Sequence, residues 1–245
     1  MSNKRMSVVD HLNELRKRLM IVVFGFFVTF IIGMLVAKPV IIYLQHSEQA
    51  QDIAMNAFRV TDPLNVYMEF AFIIGIVLVS PLIMYQLWAF VSPGLYEHER
   101  KVTLSYIPVT LILFLIGIAF SYYILFPFVV GFMGNLSKAL HIQNEIGINE
   151  YFSFLLQLTL PFGFLFEMPM LVMFLTRLGI ITPQFLTKIR KYAYFVLLVI
   201  AGIITPPELM SHLMVTVPLI ILYEISIVIS KFAYRQSVKR LSQDM

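Results

Sequence analysis

Polar and apolar positions fall in long blocks along this chain, and charged residues mark the block edges. A spanning helix needs about 20 predominantly apolar residues. Six blocks approach or exceed that length, at approximately 19–37, 70–91, 104–126, 151–176, 192–204 and 209–230. The first follows basic residues as a secretory leader would, but its apolar run is too long for a leader and no small-x-small cleavage pattern follows, so it reads as an anchor. Only fourteen residues separate Lys191 from Pro206. At about 1.5 Å each, the fifth span is roughly 21 Å long against a hydrocarbon core of about 30 Å, which predicts a locally thinned membrane beside it. Pro81, Pro108, Pro127, Pro161, Pro169 and Pro218 lie in or at the ends of the blocks. Each removes a backbone donor, so kinked helices and a curved bundle are expected. The segments 38–69 and 127–150 are long and hold apolar residues, among them Val40, Ile41, Ile42, Phe58 and Val60, so they are expected to fold as a cap. The predicted fold class is an all-α integral membrane protein with six transmembrane helices, forming one polytopic domain over 1–245.

Composition supports this reading. Hydrophobic residues make up 59% of the 245, well above the roughly 45–50% of a soluble domain. There is no cysteine, which removes disulfides, thiolate metal sites and cysteine nucleophiles. Charge sets the expected orientation, because cytoplasmic connections carry the excess of Lys and Arg. Fifteen of the eighteen lie in the N-terminal segment, the second and fourth connections and the tail; only Lys38, Arg59 and Lys138 lie on the other side. Both termini and the 95–101 stretch, LYEHERK, are therefore expected in the cytoplasm. The net charge of +4 follows from that bias and calls for no nucleic-acid partner.

The polar residues narrow the chemistry. No GxxxxGK[ST] phosphate loop or HExxH is present, and the five histidines are scattered over different segments, so no metal site or cofactor is expected. Glu167 is ten residues from Arg177, about 15 Å into the span, and an ionisable group at that depth is a functional candidate. Glu224 is shallower, and an internal pair with a basic residue and a direct role are both open. Leu12, Leu15 and Leu19 share one helical face, which predicts an amphipathic helix at the inner interface ahead of the first span. Within it Glu14 stands four residues before Arg18, the spacing of an ordinary ion pair. Topology also puts Glu14 on the same side as Glu97 and Glu99, where carboxylates in a basic surround could receive a cationic peptide.

Several motifs are similar to those of one family. They are His11-Leu12-x-Glu14-Leu15-Arg16-Lys17-Arg18-Leu19, Trp88-Ala89-Phe90-x-x-Pro93-x-Leu95-Tyr96-x-His98-Glu99-Arg100, Phe166-Glu167-x-Pro169, Thr205-Pro206-Pro207, and Tyr223-Glu224-Ile225 followed by Ser230-Lys231-Phe232. In this order, over nearly the whole chain, they resemble TatC, the multispanning subunit of the twin-arginine protein translocase. The resemblance implies a non-enzymatic receptor in the bacterial cytoplasmic membrane. Such a receptor binds twin-arginine signal peptides of folded cargo and recruits TatA-type single-span subunits. Export is then driven by the proton motive force, in a complex holding several copies of the chain.

Carried onto this chain, the resemblance makes Glu14 and Glu99 the carboxylates that meet the arginine pair. It places Arg16, Phe90, Pro93, Leu95 and Arg100 in the same site. Glu167, Thr205 and His212 become partner-subunit contacts, and Pro39 a functional proline at the start of the first outer loop. Three positions depart from the common pattern: Glu208 stands where aspartate is commoner, His212 where glutamine can occur, and Glu97 where lysine can. A proton-coupled small-solute transporter using Glu167 is the competing reading, but no internal repeat of the kind such carriers show is visible. An intramembrane protease lacks an Asp pair or a Ser/His arrangement.

Overall fold

A computed structural model of the chain describes residues 8–50, 55–91, 106–142, 145–205 and 209–241. Nearly all of them are helical, and the chain divides into two compact units, 1–111 and 112–245.

The first unit is built on α1 (Val8–Gln45) and α2 (Asp62–Val91). They form an antiparallel hairpin whose backbones approach closely at small residues, the means by which helices associate where lipid removes the hydrophobic drive. A side chain on Gly33 would strike the Ala71 carbonyl, and one on Gly75 would sit 3.0 Å from the Phe30 Cα. In that contact the Thr29 hydroxyl donates to the Gly75 carbonyl at 2.9 Å, and Phe26 meets Phe72 edge-on with centroids 5.3 Å apart. Towards the far end of the hairpin, the Tyr67 hydroxyl donates to the Met34 carbonyl. The turn before α2 is closed by buried Asp62, whose Oδ2 accepts from the backbone N–H groups of Phe58 and Arg59 at 3.0 and 2.9 Å.

The second unit continues from α3 (Tyr106–Phe120, which begins in the first) through a π-helical turn at Ser121–Leu125 into α4 (Phe126–Ala139). It then adds α5 (Ile148–Phe166), α6 (Met168–Arg177), the single-turn α7 (Pro183–Lys188), α8 (Arg190–Ile204) and α9 (Leu209–Leu241). The 112–120 part of α3 lies against α5, where a Cβ on Gly163 would fall 2.7 Å from the Phe114 ring and one on Gly117 2.5 Å from the Phe162 carbonyl. Phe120 adds ring contacts with Phe162 and Phe166. The Thr176 and Ser230 hydroxyls, 2.7 Å apart, tie α6 to α9, and Arg177 donates to Gln236 at 3.0 Å. Gly179, at φ 71°, takes the left-handed conformation that ends α6, a position where glycine carries no Cβ penalty. Thr182 opens α7 by accepting from the Phe185 N–H at 3.2 Å.

Among the described residues, five helical stretches are long and apolar enough to cross a bilayer: Leu12–Gln45, Asp62–Phe90, Pro108–Ala139, Ile148–Arg177 and Met210–Gln236. The 15-residue α8 corresponds to the short fifth block and falls below that length. Three expectations are corrected. The amphipathic segment at 10–19 does not stop ahead of the first span but runs into it without a break as the beginning of α1. Pro39 is not at the start of a loop; it lies inside α1, which runs on to Gln45. Much of 127–150 is likewise helix rather than loop, since α4 continues to Ala139. The common reason is that apolar blocks mark the stretch that tolerates lipid, whereas a helix continues through polar residues until its backbone bonding is interrupted. One of the prolines marks such an interruption: Pro169 follows the break between α5 and α6.

Candidate functional site

Glu14 projects from the first turns of α1 and is mostly buried. Arg18, one turn on, places both Nε and Nη2 on Glu14 Oε1, the Nε bond being 3.0 Å. Its third nitrogen, Nη1, donates to Gln86 Oε1 at 3.3 Å, so one guanidinium joins the start of α1 to the end of α2. Gln86 is buried, and Glu14 Oε2 is sealed from solvent with no hydrogen-bond partner among the described residues. The carboxylate therefore keeps half its acceptor capacity unused. Arg16 and Lys17 are exposed on the same turn and give the site its basic rim. Through Gln86 the structure sets Glu14 beside the end of α2, which carries half-buried Trp88 and Phe90. Pro93, Leu95, Glu99 and Arg100 lie outside the described residues, as does Glu97.

In the second unit Glu167 stands at the junction of α5 and α6. Pro169 has no N–H to offer the Leu165 carbonyl, so the α-helical ladder breaks there. The chain turns at Glu167, whose own carbonyl accepts from Met170 and Leu171 at 3.0 Å each. The residue is 4% exposed, and among the described residues its Oε2 has no hydrogen-bond partner. An unsatisfied buried acceptor is costly, so Glu167 holds its place at a price in stability.

Thr205 directly follows α8, and His212 lies in the first turn of α9. Buried Thr205 caps α8 by donating to the Ala201 carbonyl at 2.9 Å. The His212 ring lies over Gly202, where an added Cβ would sit 2.9 Å from its Cε1. Both polar residues thus belong to one hairpin end.

Of the two readings for Glu224, the structure favours the internal pair. Its Oε2 accepts from Arg190 at 2.7 Å and its Oε1 from the Tyr194 hydroxyl at 2.6 Å. Neighbouring Tyr223 donates to the Leu186 carbonyl at 2.9 Å, so one turn of α9 fixes both α7 and α8. Sequence reasoning missed Gln86 and Gly202. A lone amide two residues before Trp88 in an apolar span, and a glycine in the shortest span, were the available signals.

The chain matches the family model for the Sec-independent protein translocase protein (TatC) over residues 10–218. It is 67% identical over 244 residues to TatCy of Bacillus subtilis (strain 168), covering all of this chain and 96% of that protein. With TatC of Halalkalibacterium halodurans the identity is 58% over 246 residues, covering all of this chain and 97% of the relative. Among solved structures, a crystal structure of the twin-arginine translocase receptor TatC superposes with a TM-score of 0.79 at 33% identity, covering 91% of this chain and 99% of that one. With motifs, fold and relatives in agreement over nearly its full length, the chain belongs to the TatC family of Sec-independent protein translocase proteins.

Proposed function

We propose that this chain is the receptor and core subunit of a twin-arginine translocase. It binds twin-arginine signal peptides of folded cargo at the cytoplasmic face and recruits TatA-type subunits for export driven by the proton motive force. The observation that carries this reading is the Glu14 carboxylate: mostly buried, rimmed by basic residues, half unsatisfied, and set beside the end of α2 from which the Pro93–Arg100 motif departs. A planar guanidinium binds a carboxylate through two parallel charge-assisted hydrogen bonds, which lysine cannot reproduce. Glu14 and Glu99 together suit a pair of arginines, with Arg16, Phe90, Pro93, Leu95 and Arg100 shaping the surround. In the same reading Glu167 and the Thr205–His212 end of the α8–α9 hairpin are partner contacts, and α8 is a sixth, short span. Both termini lie in the cytoplasm of a bacterial cell.

Site-specific crosslinking of a twin-arginine peptide and its twin-lysine counterpart to the full chain tests the site. Glu14→Ala or Glu99→Ala should weaken the twin-arginine adduct more than the twin-lysine one. Equal losses would count against carboxylates that read arginine.

A further inference from the structure

The turn that leads into α2 exposes apolar side chains where a loop ordinarily shows polar ones. We propose that this turn, residues 58–61, is a lipid-binding site. Phe58 and Val60 enter the headgroup layer of the bilayer at that end of the α1–α2 hairpin, and Arg59 between them pairs with lipid phosphates.

The turn is held in a fixed shape. The Arg59 carbonyl accepts from the Asp62 N–H at 3.1 Å, and Asp62 Oδ2 accepts from the N–H groups of Phe58 and Arg59. Asp62 is 2% exposed, so one sealed carboxylate fixes the backbone on both sides of the tip. Val60 is fully exposed at that tip, Phe58 is more than half exposed, and Arg59 is exposed beside them. Turn tips are ordinarily Gly, Asn, Asp or Ser, whose backbone preferences and hydrogen bonds suit water. A pinned backbone does not carry Phe58 and Val60 inward, so what covers them comes from outside the chain.

Helix register identifies that partner. Thr29 bonds the Gly75 carbonyl, and Phe30 packs on Gly75. Asp62 stands thirteen residues before Gly75 on the antiparallel helix, which sets it level with Ile42 and Tyr43 of α1. Ile42 is five residues past Ala37, where the first apolar block ends. That distance is about 7 Å along a helix, close to the thickness of one headgroup layer. The hairpin is apolar on its surface at this level too: Ile42 and Tyr43 on α1 and Leu64 in the first turn of α2 are all exposed. Lys38, below them, has a stem long enough to lie along apolar surface while its ammonium reaches the headgroups. The lipid-facing surface of two spans thus continues up to the turn. Tyr43 has the place of an interfacial aromatic, and Phe58 and Val60 extend that belt from helix to loop. Arg59 supplies the matching charge, since a guanidinium pairs bidentately with phosphate, a group every phospholipid carries. A cation set between two apolar side chains suits phosphates lying over acyl chains better than it suits an apolar protein face.

The test uses the full chain, which has no native cysteine, in phospholipid nanodiscs with a nitroxide label at one position. Leu35→Cys places it inside the apolar block, Val60→Cys at the tip and His46→Cys just beyond α1, and all three positions are exposed. Collision with oxygen, which concentrates in lipid, and with a water-soluble nickel chelate reads depth. The oxygen-to-nickel ratio at Val60 should lie severalfold above that at His46 and below that at Leu35. A ratio equal to that at His46 would put the tip in water, and loss of access to both reagents would put it against a second copy or another protein. Either result would overturn the proposal. Arg59→Glu, which sets a carboxylate against the phosphates, should move the Val60 ratio towards that of His46; an unchanged ratio would overturn the pairing of Arg59 with phosphate.

Discussion

Glu167 owes its environment to a proline two residues later. The break imposed by Pro169 turns the chain at Glu167 within a span, and burial leaves one carboxylate oxygen without a donor. If that oxygen awaits a polar group on a partner helix, Glu167→Ala should spare twin-arginine peptide binding while impairing partner assembly and export. Co-purification of the TatA-type subunit and an export assay in cells read the two effects, and intact export would remove Glu167 from the mechanism. The Arg190–Glu224–Tyr194 cluster is structural by contrast. Its ion pair is more than a third exposed, so it should contribute no more than about 1 kcal/mol. A double-mutant cycle of Arg190→Ala and Tyr194→Phe on thermal unfolding should show a small coupling between them, and a loss of peptide binding in either variant would give the cluster a role it lacks here. Residue-level chemistry was legible where partners are close in sequence: Glu14 and Arg18 follow from a four-residue spacing. The Gln86 bond to Arg18 was not, because it depends on the register between two helices, which nothing local specifies.

At the scale of elements, the α1–α2 hairpin depends on close approach rather than on large side chains. Gly33 faces a backbone carbonyl that cannot move aside as a side-chain tip could. Gly33→Leu should destabilise the first unit by about 1–3 kcal/mol or more, the usual cost of overpacking. Detergent-melting curves monitored by circular dichroism check this, and an unchanged midpoint would mean the helices part at little cost. The short α8 makes a second prediction. Fifteen residues rise about 22 Å, well under the roughly 30 Å of hydrocarbon. A density map in nanodiscs should show the lipid belt thinned beside it, and a belt of even thickness would contradict that. The five long stretches were readable from the apolar blocks, whereas α7 lies in none of them and the fourth block holds two helices. The ends of the helices were not: Lys38, Pro39 and Pro127 all look like boundaries in sequence, yet α1 passes through the first two and the third-block helix continues past the last.

For the molecule as a whole, the bias of fifteen Lys and Arg to one side predicts which ends face the cytoplasm. Because the chain contains no cysteine, single-cysteine variants report topology without background. His46→Cys should react with a membrane-impermeant thiol reagent on intact cells, and Gln236→Cys only after permeabilisation; the reverse pattern would invert the topology. The central claim, however, is that this membrane protein receives cargo by reading paired arginines. The most direct measurement is capture of a folded cargo bearing a twin-arginine signal peptide by the purified full chain, set against the same cargo with both arginines changed to lysine. The account predicts retention of the arginine form and loss of the lysine form. Equal retention of both, or of neither, would contradict it.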